Sequence, residues 1–232
     1  MAASRSARRP PLGRLVLLAL SALLVLQLYF ALRIALWSVL PVSDTAFMRA
    51  SQLRMLHGRE TVEWHHEWIA YEALGPWIKR AVVASEDATF LHNPGVDWQA
   101  LRQAWIRDHT RRVERDHRIV GGSTITQQLA KNLFLSPERS YLRKGQELVI
   151  TGMLELLLDK RRILQMYLNS VEWGDGVYGA QAAARRYFHV PAARLAVMLP
   201  APRFFQHHLY GPYIDRRSYT IAARARDAQI PR

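Results

Sequence analysis

GGSTITQQLAKNLFL, residues 121–135, joins two glycines to hydroxyls, amides and one lysine on a single turn and helix start. Thr124-x-x-Gln127 has capping-box form, which predicts a helix opening at Ser123-Thr124. Such an opening presents free N–H groups and the positive end of the helix dipole, a setting that suits phosphate. Ordinary capping followed by a polar helix explains the same residues, and physics alone leaves the two readings even.

Upstream, PWIKRAVVASED at 76–87 has helical spacing, with Ile78, Val82 and Val83 on one side. It ends in Glu86-Asp87, where acids oppose the helix dipole. A solvated acidic pair is the plain reading, and a placement that costs stability is a weak functional hint. Trp98 to Arg112 reads as a further helix fading into the charged run RRVERDHR at 111–118, with a loop continuing to Gly121-Gly122. Residues 41–75 read as extended or irregular.

Downstream, Ser136-Pro137-Glu138 predicts a helix start, with an N-cap, a proline at the first position and an acid in the first turn. That helix would carry the apolar patch LVITGMLELLL at 148–158, and KRRILQMYLN at 160–169 predicts another. Arg143 and Lys144 fall within one turn of Glu147. The three make either an intrahelical ion pair of small value or a cationic clamp for diphosphate oriented by the acid. A glycine-punctuated turn at 173–179 leads to Ala180–Phe188. With no repeat and no run of strands, the expected fold class is mainly α.

The 232 residues are 50% hydrophobic, enough to bury one core, and no cysteine is present, so disulfides and thiolate metal sites are excluded. Lys plus Arg outnumber Asp plus Glu by 32 to 19, a formal charge of +13 that suits nucleic acid, anionic lipid or a phosphate-bearing substrate. Leu15 to Leu32 carries no charge and spans roughly 27 Å as a helix, close to a hydrocarbon core. Arg33 can snorkel, and the apolar character resumes from Ile34 to Leu40. Arg5, Arg8, Arg9 and Arg14 precede the stretch and no acid appears before Asp44, which predicts a cytoplasmic N-terminus. The stretch is longer than a signal-peptide core and no A-x-A site follows it, so an uncleaved anchor is favoured. The division is a basic tail at 1–14, a transmembrane anchor at 15–40 and an exported domain at 41–232. Export disfavours nucleic acid as a partner.

EDATFLHNPG (86–95), GGSTITQQLAKNLFL (121–135), RKGQE (143–147), KRRILQMYLN (160–169) and GDGVYGAQAAARRYF (174–188) stand in an order and spacing that resembles the peptidoglycan glycosyltransferase domain. That domain is found alone in monofunctional transglycosylases and at the front of bifunctional penicillin-binding proteins. The chain has no Ser-x-x-Lys, so the resemblance is to the monofunctional branch. It implies a lysozyme-like helical domain that polymerises lipid II at a bacterial inner membrane, with the domain periplasmic. The growing strand passes onto a sugar 4-hydroxyl and undecaprenyl diphosphate leaves with inversion.

Carried over residue by residue, Glu86 matches the catalytic base and Glu147 the second essential acid. Asp87 would hold the site and, with partial burial, raise the Glu86 pKa. Lys131 and Arg143, with Lys144 beside them, match the groups that receive the diphosphate charge. Ser123, Thr124, Gln127, Gln128 and Asn132 match the polar wall around the donor. The resemblance leaves room for a divalent cation, Mg or Mn, at the diphosphate, and for cell-division or wall-synthesis proteins as partners beside lipid II and the nascent strand. The basic run 111–118 would face the headgroups.

Two places depart from the family pattern. Asn93 stands where the family has histidine, with His92 one position early. After PAARL at 191–195 the chain runs straight into AVMLP, as though about two helical turns were missing, which predicts lost packing. The rival readings are a silenced cell-wall scaffold and a lysozyme-like hydrolase or lytic transglycosylase. The pairs His65-His66 and His207-His208 read as surface residues rather than metal ligands, because adjacent side chains diverge.

Overall fold

The computed structural model describes residues 12–58, 63–98, 102, 123–138, 140–187 and 189–231. The tail arginines Arg5, Arg8 and Arg9, the charged run 111–118 and most of the helix expected over 98–112 lie outside the described residues.

Helix α1, Leu12–Trp37, is long and apolar enough to cross a membrane. It divides in two. Residues 12–26 are all exposed, whereas Phe30, Ile34 and Trp37 are buried against the rest of the chain. The Phe134 ring packs 4.8 Å from Phe30 and 5.3 Å from Trp37. Arg162 donates from Nε to the Trp37 carbonyl at 2.8 Å and from its terminus to Leu40, fixing the exit of the helix.

Helix α2, Ala46–His57, corrects the irregular reading of 41–75. Its apolar residues do not line one side, so no periodic stripe announces it. Thr45 nevertheless caps it, accepting from the Met48 N–H at 3.1 Å. Helix α3, Pro76–Glu86, falls where its spacing predicts and buries Val82 and Val83. Helix α4, Ile125–Phe134, opens with both halves of the capping box at Thr124 and Gln127.

Helix α5, Tyr141–Leu157, starts later than Ser136-Pro137-Glu138 predicts. Its cap is Ser140, whose hydroxyl accepts from Arg143 N–H at 3.1 Å. Ser136 to Glu138 form an exposed turn before it. Helix α6, Lys160–Ser170, follows a two-residue break and is capped by Asp159. The remaining helices are α7 (Ala180–Arg186), α8 (Ala192–Met198), α9 (Pro202–Phe205) and α10 (Pro212–Asp227).

The fold is mainly helical, as expected, with one small sheet that went unread in the sequence. Strands β1 (His65–His66), β2 (Glu172–Gly174) and β3 (Val177–Tyr178) lie in the order β1-β3-β2, with β1 parallel and β2 antiparallel to β3. Segments of two or three residues are too short to show alternation. His66 is accordingly a half-buried strand residue bonded to the Asn169 carbonyl at 3.1 Å, not a surface residue, while His207 and His208 are exposed.

Helix α4 is the hub. Ile125, Leu129 and Leu133 are buried and pack toward α5 and α6, which contribute Ile150, Leu154, Ile163 and Leu164. A second group forms where α8 and α10 pack on α3. Leu195 to Leu199, at the place where the chain runs short of the family pattern, are all buried, so this segment remains a core element.

Candidate active site

The site grows from the junction of α3 and α4. Asp87, at the C-terminal cap of α3, is buried and its carboxylate is fully engaged. One oxygen accepts from the Ile125 N–H at 3.1 Å, the first free donor of α4. The other accepts from Asn93 Nδ2 at 2.9 Å and Thr89 Oγ1 at 3.2 Å. An acid at a helix N-terminus is favoured by the dipole. Asp87 therefore fastens α4 to α3 instead of facing a ligand.

Asn93 is part of the same brace. Its Oδ1 accepts from Gly95 N–H at 3.0 Å, and the Gly95 carbonyl accepts from Thr124 Oγ1 at 2.6 Å. Gly95 has φ +88°, and a Cβ there would come within 2.7 Å of the Glu155 side chain, so only glycine fits. Lys160 closes the loop, donating to the Asn93 carbonyl at 2.7 Å and to Glu155 at 2.8 Å. The role left open for Asn93 is thus structural, and His92 is exposed beside it.

Glu86 emerges from this frame only partly exposed. Gln128 Nε2 donates to one carboxylate oxygen at 3.1 Å and Ser85 Oγ to the other at 3.0 Å. Tyr167 in turn donates to Gln128 Oε1 at 2.9 Å. Tyr167 is a functional residue that sequence reasoning missed, because a tyrosine within an amphipathic stretch reads as core. Burial and the nearby Glu86 and Asp87 carboxylates push its phenol well above the usual range, so it stays a donor. The chain Tyr167–Gln128–Glu86 orients the carboxylate.

Burial raises the pKa of Glu86, against the hydrogen bonds from Gln128 and Ser85 and the charge of Arg217 on α10. Asp87 adds the smallest push. Of the two causes expected together, burial comes first and the neighbouring anion last. Arg217 gave no motif signal, since it lies far along the chain on a helix rich in arginine.

Helix α4 separates its polar residues by face. Gln128 and Lys131, one turn apart, are half-exposed, as is Ser123 before them. Lys131 Nζ stands 5.4 Å from the Phe47 ring. Thr124, Gln127 and Asn132, expected to wall the donor, are buried instead. Gln127 Oε1 accepts from the Thr124 N–H at 3.0 Å and Thr124 Oγ1 accepts from the Gln127 N–H at 3.1 Å, while Gln127 Nε2 is buried with no partner among the described residues.

On α5, Glu147 is 3% exposed and holds two cations, Arg143 at 2.8 Å and Lys144 at 2.5 Å. Arg143 Nε is buried with no partner among the described residues. The arrangement aims cationic groups from a fixed acid, as the clamp reading requires. Each Glu147 oxygen holds one of the two cations. Among the described residues no group of three metal-ligating side chains is present. Glu147 serves to orient the two cations, and the divalent cation allowed by the resemblance has no ligand cluster of its own among the described residues.

A cleft of about 520 Å³ opens between Trp64 and Arg185, and none of the expected residues lines it. A separate titrating group lies on the sheet. Burial lifts Glu172 to about 7, opposed by Arg54 and helped by Asp175. The Arg203 guanidinium, 2.8 Å away, favours the charged form against that push. A raised carboxyl pKa makes the folded chain hold its proton longer than the unfolded one. Stability then falls as pH rises from about 4.5 to 7 and is flat above. Glu172→Gln should remove that fall, worth on the order of 1–3 kcal/mol, as read by denaturant midpoints at pH 5 and pH 8.

Residues 54–220 match the family model described as Transglycosylase. The chain is 52% identical over 219 residues to a biosynthetic peptidoglycan transglycosylase of Burkholderia pseudomallei (strain K96243), covering 90% of this chain and 84% of that one. A protein of the same name from Burkholderia vietnamiensis is 50% identical over 218 residues, covering 90% and 87%. One from Burkholderia multivorans is 50% identical over 219 residues, covering 91% and 88%. The Glu86 junction and the Arg143–Glu147 helix both fall inside the matched span, and the similarity runs through most of the chain on either side; the chain belongs to the transglycosylase family.

Proposed function

We propose that this transglycosylase lengthens peptidoglycan strands, moving the growing lipid-linked glycan onto the 4-hydroxyl of lipid II and releasing undecaprenyl diphosphate. The observation that carries the reading is the Gln128 bridge. It ties Glu86 to the half-exposed face of α4, on which Lys131 stands one turn further.

Glu86 takes the proton of the acceptor hydroxyl as that oxygen attacks the anomeric carbon. The bond from this carbon to the diphosphate oxygen breaks on the opposite side, so α becomes β. The diphosphate leaves with its bonding electrons, and Lys131, Arg143 and Lys144 receive the charge. Burial raises the basicity of Glu86, and the Tyr167–Gln128 chain keeps one carboxylate oxygen aimed. A divalent cation, where used, would be carried by the diphosphate itself. Ser123 lies at the mouth of the same face, with Thr124, Gln127 and Asn132 supporting the wall from within.

The arginines before α1 and the first acid at Asp44 support an N-terminus in the cytoplasm and a periplasmic domain at the inner membrane. The substrate's tail stays in the bilayer, so tethering raises the effective concentration of enzyme and lipid. Other wall-synthesis or division proteins are natural partners for such a polymerase. The test is polymerisation of labelled lipid II by the purified full-length chain, expected to give long glycan strands. Release of soluble fragments from purified wall, with no polymer from lipid II, would instead mark a hydrolase.

A further inference from the structure

Gln27 is the one amide on α1, and it lies inside the apolar stretch. It meets Gln146 of α5 in a reciprocal pair: Gln27 donates to Gln146 at 3.1 Å and Gln146 donates to Gln27 at 2.9 Å. The pair is half-buried where α1 packs along α5. Gln146 directly precedes Glu147 and stands three residues after Arg143, so the pair sits on the same turn as the cationic clamp.

The free part of α1, residues 12–26, spans only ~22 Å, against a hydrocarbon layer of about 30 Å. The docked residues from Gln27 onward must supply the difference. The pair therefore lies near the outer edge of the apolar layer, ~8 Å from the headgroups, where an unpaired amide is costly and an interhelical hydrogen bond has few competitors. On α5, Leu142 and Val149 flank Gln146 on one helical side and are 89% and 48% exposed, consistent with a side that meets lipid. Sliding α1 by one turn, ~5.4 Å, would break both hydrogen bonds and leave both amides orphaned.

We infer that the Gln27–Gln146 pair is a depth lock, fixing the register of the anchor on α5 and so holding the Arg143–Glu147 clamp at the level where a bilayer presents a lipid's diphosphate. The link to diphosphate rests on the lipid II reading; the lock itself does not. Gln27 and Gln146 act as positioning residues and touch no reacting atom.

The test compares the wild type with Gln27→Leu/Gln146→Leu. Removing both amides leaves no orphan, so the fold survives. The chain has no cysteine, so Leu142→Cys, added to both proteins, carries a single fluorophore. Quenching by lipids brominated at different acyl depths then reads the height of α5 in phosphatidylethanolamine–phosphatidylglycerol bilayers. The expected result is a displaced or broadened depth profile for the double variant, with kcat on lipid II down 5- to 10-fold, KM within twofold and an unchanged melting transition. An unchanged depth profile overturns the lock. A displaced profile with unchanged kcat overturns its link to turnover. A wild type that does not polymerise lipid II sinks the proposed function alone, because the quenching comparison still decides the lock.

Discussion

Glu86→Gln is expected to abolish nearly all strand synthesis, lowering turnover by about 10³-fold, within the range for loss of a general base. The substitution keeps the size of the side chain and leaves an oxygen for Gln128 Nε2, so the frame of Asp87, Asn93 and Thr124 has no cause to move. Burial makes the Glu86 carboxylate costly, which is the cause of its raised pKa. A neutral amide removes that cost, so the variant should melt at or above the wild-type temperature near neutral pH. Activity and stability thus move in opposite directions. A combined turnover and calorimetry measurement checks both, and a Glu86→Gln variant with ordinary turnover would reassign the base.

Glu147→Gln is expected to damage both properties together. Glu147 is 3% exposed and satisfies Arg143 and Lys144 at once, while Arg143 Nε already lacks a partner among the described residues. Removing the one acid leaves two cations on a partly buried turn without a counter-charge. The cost should be about 2–4 kcal/mol, below the largest values for buried pairs because Lys144 remains about a third exposed. Turnover should fall by about 10²-fold, since Arg143 loses the contact that aims it. Chemical denaturation and single-turnover kinetics measure the two losses. Arg143→Met should show the complement: turnover reduced more than lipid binding, because the guanidinium acts on charge that develops only as the diphosphate leaves.

How far these residues could be read from sequence follows from how local their signals are. The Thr124 capping box, the α3 spacing and the Lys160–Ser170 helix depend on positions within four residues of each other, and each stands where its pattern predicts. The misplaced start of α5 shows two local signals in competition. Ser136-Pro137 has the better composition, but Ser140 holds the actual cap. Helix α2 and the three-stranded sheet depend on distant partners, His65 opposite Val177 for example, and leave almost no local trace. The same holds at the site. Glu86, Lys131, Arg143 and Glu147 were named from motifs. Yet the direction of Asp87, the support from Tyr167 and the charge of Arg217 arise only when α3, α4, α6 and α10 converge. Sequence also could not divide the residues of 121–135 between ligand-facing and frame-building roles, because capping and recognition draw on the same side chains.

The second half of α1 carries a consequence for how the protein is born. Phe30, Ile34 and Trp37 complete a hydrophobic face whose other side is Phe134 at the end of α4. Until the leading helix docks, a newly made chain lacks one side of that face, so this helix completes the domain as well as tethering it.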